Sequence, residues 1–213
     1  MAKISAIKAQ TRDPNRVNIF LDGGYAFSVA RIVAAWLTVG QELSQERITS
    51  LQQADIDEKA YQEALHFLSY RMRSTREIEH YLRQNGYSEE IVSVVTERLE
   101  RSGILNDTAF ANSWVENRDT FRPRSRRLLS MELRQKGIPE EVIELSLTEA
   151  PSDEELAYQA ALKQARKLEH MERLEFRRKL SGFLARRGFS YDTISPVVDR
   201  VWADLHSTGE LSR

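Results

Sequence analysis

An internal repeat constrains this chain more than any other feature. Residues 71–76 and 122–127 share the pattern Arg-x-Arg-Ser-x-Arg, and 51 positions separate the two copies. The register continues without a gap to Gly86 and Gly137, and a more divergent third copy places Gly188 another 51 positions on. Three units at one period indicate a tandem array of supersecondary modules.

Each repeat is predicted to contain three helices. Ser74 and Glu77 have capping-box spacing, which favours the start of a helix at that point. Gly86 follows the last apolar position of this helix and favours its end, because glycine adopts the left-handed conformation without Cβ strain. Ser88 caps the next helix, and Gly103 ends it.

The N-terminal residues follow a different period. Apolar and polar residues alternate over 3–10, 16–21 and 25–29, and residues 22–24 have turn chemistry, so a three-stranded meander is predicted. Apolar residues between positions 32 and 37 predict a short helix that ends at Gly40, and Ser44 begins another. The acidic residues 55–58 are interpreted as the first turn of the first repeat, with a joint between domains as the alternative.

The expected fold is therefore mainly α, an elongated tandem array of three three-helix repeats behind a small N-terminal β-meander and helix segment. A single repeat has too few apolar residues to close a globule, so the repeats should stack in a line. The expected domains are an N-terminal segment of strands and short helices at 1–54, the first repeat at 55–105, the second repeat at 106–151, and the third repeat with a C-terminal tail at 152–213.

Composition excludes several classes of protein. The chain has no cysteine, which rules out disulfides, thiolate catalysis and cysteine-ligated metals. No apolar run approaches the ~18 residues of a membrane helix, and no secretory signal is present, so a cytoplasmic protein is expected. The net charge is −1, so the chain is not a polycation that would coat nucleic acid indiscriminately.

Charge is nevertheless unevenly distributed. Between positions 118 and 136 seven basic residues accompany two acidic ones, whereas positions 140–155 hold seven acidic residues and no basic one. The second helices are therefore basic and the third helices acidic. Stacked repeats would present a basic side and an acidic side, a polarity that steers binding partners.

Catalytic motifs are missing from the sequence. It has no G-x-x-x-x-G-K-[ST] phosphate loop, and its four histidines have no metal-ligand spacing. The glutamate pairs at 89–90 and 140–141 fit helix first turns better than an acid/base pair. We therefore expect a protein that is not an enzyme and that has no cofactor or metal.

The turns before the second helices carry the strongest functional signal. Arginines recur there at equivalent positions, although no fold requirement calls for arginine. A binding role is favoured over a merely solvated surface. The candidate partner- or DNA-binding residues are the arginines of these turns and of the second helices: Arg71, Arg73, Arg76, Arg122, Arg124, Arg126, Arg127, Arg134, Arg177 and Arg178.

Aromatic residues precede the second set of arginines. Phe110, Trp114 and Phe121 could form a platform on which bases stack beside the guanidinium groups. Phe110 and Trp114 are four positions apart on a predicted helix, which favours a place in the core for Trp114.

These residues carry a resemblance to a known family. The relevant positions, in chain order, are Ala64, Leu68, Ser69, Tyr70, Arg71, Arg73, Ser74, Leu82, Gly86, Tyr87, Gly103, Ile104, Leu105, Asp107, Phe110, Ala111, Leu133, Gly137 and Ile138. With the N-terminal segment from Arg16 to Val29, they resemble the RecX family of bacterial regulatory proteins over nearly the whole chain. Asn106 replaces the first acid of the family's Asp-Asp pair, and the third repeat departs furthest, with Glu175 and Ala185 at positions held by arginine in the other copies.

The resemblance implies a non-enzymatic modulator of the recombinase RecA, and a monomer is expected. It implies tandem three-helix repeats that bind in the groove of the RecA–DNA filament and inhibit strand exchange and ATP hydrolysis. Single- or double-stranded DNA would be bound weakly or through the filament, and no membrane is involved. Two alternatives stay open from the residues alone: a helical-repeat DNA-binding protein acting without RecA, and a scaffold for another protein partner.

Overall fold

The N-terminal part of the chain is a small antiparallel sheet. The structure is a computed structural model, and it describes residues 1–207. The sheet order is β3-β2-β1-β4. Its strands are β1 (Ala2–Ala9), β2 (Arg16–Leu21), β3 (Gly24–Ala30) and β4 (Glu42–Leu43).

The predicted meander is confirmed by the pairing of β1 with β2 and of β2 with β3. Asp22 and Gly23 form the two-residue turn between β2 and β3, with φ angles of 49° and 89°. Two positive φ angles are typical of the type I′ turn that matches strand twist in hairpins. The short strand β4 adds a fourth, unpredicted member beside β1.

The rest of the described chain is helical. Nine helices are present within residues 1–207, in three successive groups of three. They are α1 (Gln45–Ser69), α2 (Thr75–Gln84), α3 (Glu89–Arg101), α4 (Asp107–Phe121), α5 (Arg126–Gln135), α6 (Glu140–Thr148), α7 (Asp153–Ala165), α8 (Arg173–Ala185) and α9 (Tyr191–Ser207). None of them is long and apolar enough to cross a membrane. The last residues of the predicted C-terminal tail, 208–213, lie outside the described chain.

The chain divides into two compact units. The first unit contains residues 1–73 and 78–105, and its apolar cores lie between the sheet and α1 and among α1, α2 and α3. The second unit contains residues 74–77 and the chain from 106 onward, with one core around α4, α5 and α6 and another around α7, α8 and α9.

The period of 51 is visible in the cores. Each second helix has two completely buried apolar side chains at equivalent positions of the repeat: Ile78 and Leu82, Leu129 and Leu133, Leu180 and Leu184. Full burial of one such side chain stabilises the fold by roughly 1.5–3 kcal/mol. The three-helix interpretation of the repeat is therefore confirmed.

The helix ends follow the predicted signals. The amide of Glu77 donates to Ser74 Oγ and the amide of Ser74 donates to Glu77 Oε2, both at 3.3 Å, so the capping box is formed. Gly86, Gly137 and Gly188 follow the second helices with φ angles of 84°, 81° and 87°. Only glycine adopts this left-handed conformation without strain.

The prediction of a short helix near residues 32–37 is wrong. Residues 31–36 form consecutive turns, and Trp36 is 89% exposed while Leu37 is 8% exposed. The pairing with β1 prevents a helix from forming here, because the amide of Gly40 donates to the carbonyl of Ile4 at 2.8 Å. The chain is thereby drawn back to the edge of β1.

The predicted helix start at residues 55–58 is also wrong. Helix α1 begins after Ser44, whose hydroxyl accepts the amide of Arg47, and it continues through the acidic residues to Ser69. Asp55 instead accepts hydrogen bonds from Arg16 Nη2 at 2.7 Å and from the amide of Ala30 at 2.6 Å. Asp55 thus connects α1 to β2 and β3. The predicted domain boundary at 54/55 falls inside one continuous helix.

Candidate functional site

Arginines from three places in the second unit meet at the turn between α4 and α5. Arg118 lies in the last turn of α4, Arg122 and Arg124 belong to the turn itself, and Arg187 follows α8. Arg187 Nη1 donates to the carbonyl of Pro123 at 2.9 Å, which brings it to the same turn. We call Arg118, Arg122, Arg124 and Arg187 the arginine cluster.

One carboxylate organises part of the arginine cluster. Glu132, on α5, has a side chain that is 13% exposed. Its Oε2 accepts from Trp114 Nε1 at 2.9 Å and from Arg118 Nε at 3.2 Å, and its Oε1 pairs with Arg124. A buried carboxylate with several charge-assisted donors holds the attached side chains in fixed positions.

The cluster carries more positive charge than this carboxylate balances. Burial lowers the pKa of Arg124, and the neighbouring charges of Arg118 and Arg122 lower it further. Burial likewise lowers the pKa of Arg187, with added repulsion from Arg124 and Arg122. Because guanidinium groups do not lose their charge in proteins, this repulsion persists and favours an anion at the site.

The aromatic residues do not form a continuous platform. Phe110 is 3% exposed and belongs to the core, and the Trp114 ring is stacked beside it with centroids 5.7 Å apart. Arg118 lies over the Trp114 ring at 4.3 Å. Only Phe121, which is 69% exposed, presents an open ring beside Arg122.

Half of the predicted arginines are held by contacts inside their own unit. Arg73 lies over the Phe67 ring at 3.5 Å in the first unit. The other four belong to the second unit: Arg124 pairs with Glu132, Arg126 donates to the carbonyls of Ala150 and Pro151, Arg134 pairs with Glu140, and Arg177 bonds Asp199 and Ser195.

The remaining predicted arginines are exposed. Arg76, Arg127 and Arg178 occupy one position of the repeat, at steps of 51, and Arg122 lies in the arginine cluster. None of these four forms a salt bridge with another residue of the described chain. Arg71 is exposed in the first unit and donates to the carbonyl of Met72.

Two members of the arginine cluster were not predicted as site residues. Arg187 stands 51 positions after Lys136, so the repeat itself contained the signal that would have found it. Arg118 was counted in the basic stretch, but its sequence neighbours do not indicate that it shares a carboxylate with Arg124. Only the packing of α4 against α5 brings that carboxylate into reach of both.

Comparison with known proteins matches the N-terminal segment and all three repeats to models of one family. Residues 2–44 match the model of the regulatory protein RecX N-terminal domain. Residues 60–99, 106–147 and 152–198 match the models of the first, second and third RecX three-helix domains.

Individual relatives agree with the family models. The regulatory proteins RecX of Bacillus pumilus and Bacillus subtilis are each 34% identical to this chain, over 95% and 94% of its length and 78% of theirs. A crystal structure of regulatory protein RecX has a TM-score of 0.77 at 34% identity and covers 93% of this chain and 100% of that one. A crystal structure of RecX from Lactobacillus salivarius has a TM-score of 0.61 at 27% identity and covers 70% of this chain and 97% of that one. The chain therefore belongs to the RecX family of regulatory proteins.

Proposed function

We propose that this protein binds the filament that the recombinase RecA forms on DNA and inhibits strand exchange and ATP hydrolysis there. It acts by binding, with no catalytic activity of its own, in the cytoplasm. The observation that carries the proposal is the arginine cluster in a chain of the RecX family. A filament of protein on DNA offers both carboxylates and phosphates to such a cluster.

The arginine cluster is suited to an anionic partner for two reasons. Its guanidinium groups repel one another, so an anion between them relieves a cost that is already present in the free protein. Arginine also binds phosphate and carboxylate through two parallel hydrogen bonds, which fixes orientation as well as charge. In this proposal Arg122 makes the contact, and Arg118 and Arg124 shape the surface around it.

The exposed arginines Arg76, Arg127 and Arg178 extend the proposed surface. They recur once in each second helix, so each repeat offers one cation in the same local setting. Arg178 differs from the other two in its surroundings, because the carboxylate of Glu175 lies one turn away on α8. Arg71 completes the proposed set in the first unit.

Titration onto preassembled RecA filaments tests the proposal. The protein alone should hydrolyse no ATP, and added to filaments on single-stranded DNA it should lower their ATP turnover in a saturable manner. Intrinsic turnover that survives repurification would contradict the proposed lack of catalysis. Unchanged filament turnover at concentrations well above that of filament subunits would contradict the regulatory role.

Binding to bare DNA separates this function from that of an independent DNA-binding protein. Fluorescence anisotropy with bare single- and double-stranded DNA should show weaker binding than to the filament. A protein that acts on DNA alone would bind bare DNA as tightly as the filament, and log affinity would fall steeply with log salt as counterions are released. That result would favour DNA binding without RecA.

A further inference from the structure

A second charged site lies on another face of α4, away from Arg118. Glu116, Asp119 and Thr120 line a cleft of about 300 Å³, which the end of α6 closes with Ser146 and Glu149. Positions 116, 119 and 120 share one face of a helix because they are three or four residues apart. None of the residues that line this acidic cleft is basic.

Two polar atoms in the acidic cleft are buried without a hydrogen-bond partner in the described chain. They are Oδ1 of Asp119 and Oγ of Ser146, and Ser146 is only 5% exposed. Leaving a buried acceptor unsatisfied destabilises the fold, because its hydration is lost and nothing replaces it. The fold therefore retains two acceptors that an incoming donor would satisfy.

The cationic side chain near Asp119 is Arg126, and its guanidinium group already has hydrogen-bond partners elsewhere. Arg126 lies close enough to Asp119 to lower the pKa of its carboxyl group, yet its guanidinium donates to the carbonyls of Ala150 and Pro151. Burial outweighs this attraction and raises the pKa of Asp119 to about 6. The carboxyl group is thus short of positive charge although an arginine is its neighbour.

The placement of the acceptors in the cleft favours a guanidinium group over a metal ion. Within residues 1–207 no group of three or more carboxylates or histidines converges closely enough to hold a metal ion. The acceptors are instead spread across the cleft, which suits the five N–H donors of a planar guanidinium. The last turn of α6 carries no basic residue, so the negative end of its dipole also favours a cation.

We propose that the acidic cleft binds an arginine side chain presented by the protein partner. The guanidinium donates to Asp119 Oδ1 and Ser146 Oγ, while Glu116 and Glu149 supply charge at the rim. That this arginine belongs to the recombinase rests on the function proposed above; that the cleft binds a guanidinium does not. The cleft and the arginine cluster would then give one unit two contacts of opposite charge.

A probe without recombinase tests the cleft itself. N-acetyl-argininamide is titrated into the full-length protein and followed by amide chemical shifts at Asn112, Thr120 and Ser146. Saturable shifts confined to these residues are expected at pH 7.5, with at least about threefold weaker binding of the lysine analogue. Equal binding of the two probes, or shifts spread over the acidic surface, would mean simple charge attraction and overturn the assignment.

Variants sharpen the measurement. D119N should weaken the probe about tenfold, as expected for loss of a charge-assisted hydrogen bond. E141Q also removes one negative charge, but from α6 and outside the cleft. This variant should leave binding of the probe unchanged. Lowering the pH to 5 should weaken binding several-fold more in the wild type than in D119N, because only the wild type has the Asp119 carboxylate to protonate while Arg126 keeps its charge in both. Equal affinity of D119N and wild type would overturn the proposal.

A second measurement tests the source of the arginine. Filament affinity should fall in D119N and stay at the wild-type value in E141Q. If the probe binds and filament affinity is unchanged in D119N, the arginine does not come from the recombinase. If the wild type itself fails to bind filaments while the probe binds, the proposed function fails and the cleft assignment stands.

Discussion

At the scale of single residues, the arginines of the repeated turns differ in their exposure and in the side chains that they contact. Arg122 is exposed in the arginine cluster, whereas Arg124, beside it in sequence, pairs with the largely buried Glu132. Arg73, which occupies the position of Arg124 in the first repeat, lies over the Phe67 ring. Equivalent positions therefore combine binding and structural roles.

The first prediction separates these roles by alanine substitution. R122A should weaken filament binding and change the free energy of unfolding by no more than ~0.5 kcal/mol, as surface substitutions usually do. R124A should cost about 1–2 kcal/mol, because Glu132 stays buried and loses one of its partners. Urea denaturation measures stability, and binding is measured on filaments at fixed salt.

The opposite pattern would contradict the assignment. If R122A unfolds the protein and R124A leaves stability unchanged, Arg122 is structural and Arg124 is not. R166A, at the end of α7, is a matched control for the loss of one exposed arginine outside both the arginine cluster and the proposed surface. It tests whether position within the cluster matters beyond net charge.

The second prediction concerns Asp119 and pH. Because burial raises the pKa of Asp119 to about 6, the folded state disfavours its charged form. This penalty is fully present above pH 6 and shrinks as the pH falls from 6 towards the unfolded-state pKa of 3.8, and it vanishes only below that value, where the group is protonated in both states. D119N should therefore stabilise the protein at pH 8 by about 1 kcal/mol, a value reduced to allow for solvent screening of a partly exposed group.

Urea denaturation of D119N and wild type at pH 8 and pH 4 measures this effect. The stability difference between the two proteins should shrink towards zero at pH 4. A D119N protein that is less stable than wild type at pH 8 would show that the carboxylate is favourably bonded in the fold. E141Q, with an exposed carboxylate on α6, serves as the control.

At the scale of the helices, the glycines that follow α2 and α8 have the same φ angle but different neighbours. A Cβ on Gly188 would lie 2.6 Å from Ser125 Oγ and 2.8 Å from Leu128 Cβ, whereas a Cβ on Gly86 would meet nothing within 4 Å. The close approach exists because the turn after α8 packs on the start of α5, where the amide of Ser125 donates to the carbonyl of Arg187 at 3.0 Å.

The third prediction compares alanine at these two glycines. G86A should cost about 1 kcal/mol, the strain of a left-handed conformation in a residue with a Cβ. G188A should cost about 2–4 kcal/mol, because overpacking against Ser125 and Leu128 adds to the same strain. Thermal unfolding monitored by circular dichroism measures both. Equal losses in the two variants would show that the second and third repeats separate at little cost.

The contact between Ser125 and the turn after α8 has an equivalent at Ser74, 51 positions earlier, which also belongs to the second unit. Ser74 Oγ donates to the carbonyl of Lys136 at 2.7 Å, and the amide of Thr75 donates to Asp107 Oδ1 at 2.8 Å. The amide of Arg126 similarly donates to Asp153 Oδ1 at 2.8 Å. The capping serines are therefore buried, and the sequence repeat is also a repeat of tertiary contacts.

At the scale of the whole molecule, the fourth prediction concerns length. The repeat period predicts a linear array, and such an array should have a radius of gyration well above ~17 Å, the value for a compact globule of this size. An extended molecule could contact successive subunits of a filament. Small-angle scattering of the monomer measures this quantity, and a value near that of a compact globule would contradict the expected array.

Most of the local structure could be predicted from short patterns in the sequence. Repeated capping serines and glycines marked the helix ends, and the alternation of apolar residues marked the meander, because both signals depend on the nearest few residues. Burial at the period of 51 followed from the same pattern. The arginine turns were found for this reason too, since they recur at a fixed offset from the capping serine.

Which charged side chains form ion pairs, and which stay exposed, depends on tertiary packing and could not be predicted from the sequence. Asp55 looked like the start of a helix because a carboxylate in a first turn and one paired with Arg16 of a distant strand are identical in sequence. Arg124 and Arg122 looked equivalent until the packing of α4 on α5 placed Glu132 beside one of them. The burial of the unsatisfied Asp119 oxygen likewise cannot be read from the sequence, since desolvation depends on neighbours distant in the chain.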